Sequence, residues 1–164
     1  MKKLFFLLLT VTFLAGCGAR GEIKELAFKE RALQDELQII ANDVEKNYSL
    51  WESGQISREQ LGKNLSTHYD EVNTIKAKWT DAKKPLTRFA KSNAYYWKIA
   101  HMESLTTSIK TIIVFATQGY PSEVVESDKK PFTDQELTAC YKNEISSFNK
   151  RMQSVRSEIS QIID

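Results

Sequence analysis

Glycine and proline are scarce in this chain, six and three among 164 residues. Beyond residue 21 only Gly54, Gly62, Gly119, Pro85, Pro121 and Pro131 are available to interrupt regular structure, and four long segments remain between the breaks. Two cysteines, Cys17 and Cys140, are too few for a zinc site built on cysteine pairs. The chain has no Gly-x-Ser-x-Gly, no His-Glu-x-x-His, no Walker loop and no Cys-x-x-Cys. The motifs of serine hydrolases, zinc proteases, nucleotide binding and dithiol chemistry are therefore missing. The expectation is a protein that is not an enzyme and carries no cofactor. A membrane-spanning helix needs roughly 20 apolar residues, and the apolar run from Leu4 to Phe13 is too short.

That run has another meaning. Lys2 and Lys3 precede it and polar residues follow, which is the layout of a secretory signal. It ends in Leu14-Ala15-Gly16-Cys17. This tetrad resembles the lipobox of bacterial lipoproteins at all four positions. The resemblance covers only the first 17 residues. It implies cleavage before Cys17, a diacylglyceryl thioether and N-acylation at that cysteine, and anchoring in lipid. Two or more acyl chains hold a protein stably where one holds it marginally. Gly18 follows the cysteine, and members of the class with Asp there are retained at the inner membrane. The resemblance therefore implies the outer membrane in a Gram-negative host and the outer face of the cell membrane in a Gram-positive one. Residues 17–21 are expected to form a short flexible tether.

Removing residues 1–16 from 164 leaves 148, one domain by size. Lys2 and Lys3 leave with the signal, so 21 basic residues balance 21 acidic ones. Nucleic-acid binders show a basic patch or high pI. No cluster supplies one, and a polybasic membrane patch is missing by the same reasoning. With Cys17 lipidated, Cys140 has no partner for an internal disulfide.

The four segments carry helical stripes, with apolar residues at steps of three and four. Over 22–52 the stripe is Leu26, Leu33, Leu37, Ile40, Val44, Tyr48 and Trp51, closed by Gly54 as a left-handed C′ residue. Over 57–83 a capping box (Ser57, Gln60) and a staple (Ile56, Leu61) open a heptad seam of Leu61, Leu65, His68, Val72, Ile75, Trp79 and Ala82. The segment 86–118 follows Pro85. Its inner face is Trp97, His101, Leu105, Ile112 and Phe115, with Asn93 among the polar interruptions. Over 133–163 a capping box (Thr133, Glu136) opens the stripe from Leu137 to Ile162. Short connections between such helices force antiparallel neighbours. The expected fold is all-α, an up-down-up-down four-helix bundle over 22–164. Three helices, one of them long and bent at Pro85, are the alternative.

His68 and His101 are the only histidines and stand equally far from the turn at Lys84-Pro85. In continuous antiparallel helices they share one level, where two imidazoles are placed to ligate haem or a metal. Glu-x-x-His is absent at both, and the other inward residues near that level (Leu37, Ile40, Ala41, Phe148, Met152) include no carboxylate. Ordinary core-edge histidines are the stronger expectation. Adjacent Tyr95, Tyr96 and Trp97 cannot all face one core, so at least one is exposed or at a rim.

The functional expectation is a lipid-anchored, non-enzymatic interaction module of the cell envelope that binds another envelope or surface protein and no nucleic acid. The alternative is a small-ligand, metal or haem site at the His68/His101 level. Helical periplasmic chaperones repeat Leu-Thr-x-x-Gln, whereas Leu137-Thr138 leads here to Tyr141, without a second copy. Topology places the long 120–132 loop at the end away from the lipid. Its Tyr120, Val124, Val125 and Phe132, with Trp51 beside them, are the candidate partner-binding residues.

Overall fold

The computed structural model of the chain describes residues 2–117 and 132–164, with side chains from Gly18 onward. Every regular element among them is helical: α1 (Lys2–Glu52), α2 (Arg58–Ser66), α3 (His68–Lys83), α4 (Arg88–Lys91), α5 (Ala94–Ile99), α6 (Met102–Ala116) and α7 (Asp134–Ile163). No described helix is long and apolar enough to cross a membrane.

α1 begins well before residue 22 and runs unbroken through Gly18 and Gly21. The expected flexible tether is therefore helical. Ala19 and Ile23 are buried, and α4, with its buried Ala90, packs on α1. Burial on that face holds the helix past two glycines that local propensity disfavours. Gly54 closes α1 at φ +74°, as a left-handed residue should.

The second segment divides at Thr67, whose backbone stays helical (φ −62°, ψ −30°), so the direction is kept from α2 into α3. Ser57 Oγ accepts from the Gln60 amide at 3.1 Å, but the Gln60 side chain donates to Asn64 instead of returning to the cap. Only half of that capping box forms. The box opening α7 forms completely, Thr133 with Glu136.

The third segment departs most from expectation and comes in three pieces. Thr87 caps α4, its hydroxyl accepting from the Ala90 amide. Asn93 caps α5 through the Tyr95 amide at 2.9 Å. Ala100 leaves helical geometry at φ −78°, ψ 54° before α6 begins. Cross-contacts give the height of each piece along α1. Asn64 meets Asn47, His68 meets Asp43, Lys78 meets Glu36 and Thr87 meets Glu22, so α2 and α3 run antiparallel to α1. The chain then turns, and the His101 amide reaches Glu30. From residue 87 to 101 a continuous helix climbs roughly 21 Å. The observed climb from the Glu22 level to the Glu30 level is only about 12 Å at the same rise. The broken segment instead packs α4 on α1 and α5 on α7. α7 runs back antiparallel to α1, with Arg156 on Asp35 and Asn149 beside Glu45.

The core follows the stripes. Leu37, Val44, Leu61, Leu65, Trp79, Leu105, Ile109, Ile112, Phe148 and Ile159 are buried in one cluster. Trp97, expected on the inner face, is 66% exposed because the breaks around α5 rotate it off the α6 stripe.

Candidate functional site

Two polar sites and an open groove lie along α1. The first is fully buried. Glu30 fills the interval in the α1 stripe between Leu26 and Leu33, and Gln34 lies one turn further on. Glu30 Oε1 accepts from the His101 amide at 3.4 Å and from Gln34 Nε2 at 3.5 Å. The His101 amide also donates to the Ile99 carbonyl at 2.8 Å, so the carboxyl takes the longer share of an amide at the break between α5 and α6. Burial pushes its pKa up to about 8, against the lowering effect of these hydrogen bonds and of Lys83. A neutral carboxylic acid results near neutral pH, because an isolated ionised group is costly in such surroundings. Glu30 Oε2, Gln34 Oε1 and Trp79 Nε1 are buried without a hydrogen-bond partner among the described residues. A proton on Oε2 supplies a donor to a cluster otherwise rich in acceptors.

The second site lies at the α1–α3 rim. His68 Nε2 is 2.8 Å from Asp43 Oδ2, and Nδ1 is 2.6 Å from Glu71 Oε2. Partial burial lowers the imidazole pKa, but the two carboxylates outweigh it and the net shift is upward. Asn47 extends the network, donating to Asp43 at 3.0 Å and accepting from Asn64 at 2.6 Å. The two carboxylates hold opposite ring nitrogens, so they do not converge on a common point. No group of three or more His, Cys, Asp or Glu among the described residues is arranged to hold a metal. The arrangement binds and releases a proton at an ion-paired imidazole.

Beside it lies an open groove of about 440 Å³ between α1 and α3. Its lining includes Ile39, Ile40 and Ile75 with Glu36, Asp70 and Lys78. Ile39 stands 71% exposed.

The expected site residues are distributed differently. His68 sits at the Asp43 level and the His101 amide at the Glu30 level. Those levels are thirteen residues of α1 apart (43 minus 30), roughly 20 Å. The two imidazoles therefore do not share a level, because the third segment is not a continuous helix. Asp43 also supplies the carboxylate that the inward stripes lacked. Trp51 is half-buried, edge-on to Tyr48 at 5.4 Å and beneath the Arg58 guanidinium at 5.8 Å. Phe132 stacks on Phe115 at 3.9 Å, and its carbonyl accepts from Arg58. Both are engaged inside the fold. Tyr120, Val124 and Val125, with the rest of the expected loop, lie outside the described residues, as does the side chain of Cys17. Cys140 is half-buried, and burial pushes its thiol up to about 11, away from the reactive thiolate.

Sequence patterning missed Glu30, Asp43 and Arg58. Only Glu30 left a trace, as the seven-residue step from Leu26 to Leu33 in an otherwise regular stripe. The chain matches no protein-family model, no curated protein and no solved structure.

Proposed function

We propose that this protein is a lipid-anchored module of the bacterial cell envelope, held by acylated Cys17 at the extracytoplasmic face of a membrane. The observation that carries the reading is Leu14-Ala15-Gly16-Cys17, placed after a basic and apolar start.

The body is an up-down-up-down four-helix bundle, with α2 and α3 as its second member and α4 to α6 as its third. The antiparallel cross-contacts of α1 with α3 and α7, and of α3 with α6 through Lys110 and Asn73, support that arrangement. Its work is non-enzymatic binding of another envelope or surface protein. The α1–α3 groove is the face best suited to it, because exposed Ile39 stands with Ile40 and Ile75 in a rim where Glu36 pairs with Lys78 and Glu71 with His68. A partner segment with an apolar tip complements that lining.

The test is Cys17→Ser expressed in a bacterial host. The wild type partitions with membranes and carries a diacylglyceryl mass on its N-terminal cysteine. The variant loses the mass and leaves the membrane fraction. Retention of the variant, with no lipid mass on the wild type, overturns the reading.

A further inference from the structure

We propose that α4 and α5 form a second membrane contact, seated in the headgroup layer of an anionic phospholipid surface beside the acylated cysteine. The inference rests on the lipid-anchor reading for its geometry, and its own evidence lies elsewhere in the chain.

Three observations converge. The first is exposure. Phe89 is 69% exposed, Trp97 66% and Tyr95 45%, three of the five large apolar or aromatic side chains exposed in the described structure. Aromatic side chains gathered at one end of a molecule suit the membrane–water interface, where an apolar ring meets a wet surrounding.

The second is charge. From Lys83 to His101 the chain carries Lys83, Lys84, Arg88, Lys91 and Lys98 and no Asp or Glu. The balanced composition of the mature chain conceals this local run of bases. Lys83, Lys84 and Lys98 pair with Glu103, Asp81 and Glu158, which leaves Arg88 and Lys91 as the exposed bases without an ion pair among the described residues. Basic residues beside an anionic leaflet are attracted within a Debye length of its surface.

The third is position. Thr87, which caps α4, is held by Glu22 at 2.8 Å. Glu22 is five residues along α1 from Cys17, roughly 7 Å at the helical rise. The segment climbs only to the Glu30 level by His101. Arg88, Phe89 and Lys91 thus lie near the Glu22 level, within the first turns above the anchor, whereas Trp97 lies towards the Glu30 level, roughly 20 Å from Cys17 along α1, so the contact requires α1 to be inclined to the surface. The α1–α3 groove has no such link to the anchor.

The test reconstitutes the full lipoprotein, as purified from membranes, in vesicles of equimolar phosphatidylethanolamine and phosphatidylglycerol with brominated acyl chains. Tryptophan emission and intact mass are read on the same sample. Trp97 is expected to be quenched, with the quenching lost in Trp97→Phe and kept in Trp51→Phe. Trp51 is 34 residues from Cys17 along α1 (51 minus 17), roughly 50 Å, and Trp79 is fully buried. Arg88→Gln combined with Lys91→Gln should weaken the Trp97 quenching; both side chains are exposed, so folding is kept. Lipid mass without Trp97 quenching overturns the second contact and leaves the anchor standing. Trp97 quenching without lipid mass overturns the anchor and leaves the contact standing. Absence of both overturns both.

Discussion

The imidazole of His68 on α3 bridges to Asp43 on α1, its Nε2 2.8 Å from Oδ2, and so links the two helices through a titratable pair. The carboxylates of Asp43 and Glu71 favour the imidazolium, and its folded pKa stands above the ordinary value of 6.5. A group raised on folding binds its proton more tightly in the native state. Its contribution is therefore full below pH 6.5 and lost as pH rises through the folded pKa. His68→Gln should destabilise by about 1 kcal/mol near pH 6, a figure kept small by partial exposure of the partners. The difference should shrink towards pH 9. Melting curves of both proteins across that range check it, and a constant offset would show that the imidazole charge is not what links the helices.

Glu30 gives an opposite expectation for substitution. Its pKa rises on folding from an ordinary 4.5 to about 8. The native state binds the extra proton between those values, so stability falls as pH climbs through that window, by as much as about 1.4 kcal/mol per pH unit. Glu30→Gln keeps the acceptor for the His101 amide and supplies a permanent donor where the acid needs a proton. The variant should match wild type near pH 5 and exceed it in melting temperature at pH 9. Parallel pH profiles for the two proteins would mean that Glu30 is not held neutral by the fold.

At Gly62 the backbone of α2 comes close to the end of α6. A Cβ built there would stand 2.9 Å from the Ala116 carbonyl oxygen, and backbone cannot move aside as a flexible side chain can. Gly62→Ala improves helix propensity locally yet forces α2 and the end of α6 apart. Overpacking of this kind costs about 1–3 kcal/mol. Urea denaturation should show net destabilisation, whereas Gly18→Ala, with nothing within 4 Å, should show none.

The apolar stripes were legible wherever a segment kept one helical direction, as α2 does into α3 through Thr67. Leu37, Val44, Leu65, Trp79, Phe148 and Ile159 were placed by spacing alone and are buried. The third segment was not legible in the same way. Asn93 looked like a polar interruption of a stripe, yet it is a cap, and so is Thr87. Cap residues of this type carry their own signal, but stripe counting discards it. One wrong assumption of continuity then moved His101 by several turns and created a histidine pair that the structure separates. Glu30 was hidden for another reason. Periodicity scores apolar residues, so a carboxyl occupying a core position registers only as a gap. Arg58 has no sequence signature at all, because its partners lie 57, 74 and 76 residues away.

Arg58 is where those distant partners meet, and its removal should have local consequences out of proportion to its one surface ion pair. Nη2 donates to the Phe115 carbonyl at 3.0 Å and the Phe132 carbonyl at 3.3 Å, and Nη1 pairs with Asp134 at 2.7 Å. The guanidinium also lies over Trp51. One side chain therefore joins the end of α1, the start of α2, the end of α6 and the start of α7. The planar fork is essential, since a lysine ammonium is a single point and cannot satisfy two carbonyls and a carboxylate in those directions. The Arg58 side chain is 13% exposed whereas that of Asp134 is 72% exposed. Solvent screens the ion pair, and Asp134→Ala should cost no more than about 1 kcal/mol. Loss of the charge-assisted bonds to the two carbonyls should cost Arg58→Ala about 1.5–3 kcal/mol. Arg58→Lys should recover only a minor part of that. Amide hydrogen exchange locates the effect: protection should fall at 114–117 and 133–137 in Arg58→Ala, while the Leu33 to Ile40 stretch of α1 keeps its wild-type rate relative to global unfolding. Equal costs for Arg58→Ala and Asp134→Ala would assign the stabilisation to the ion pair and remove the carbonyls from the account.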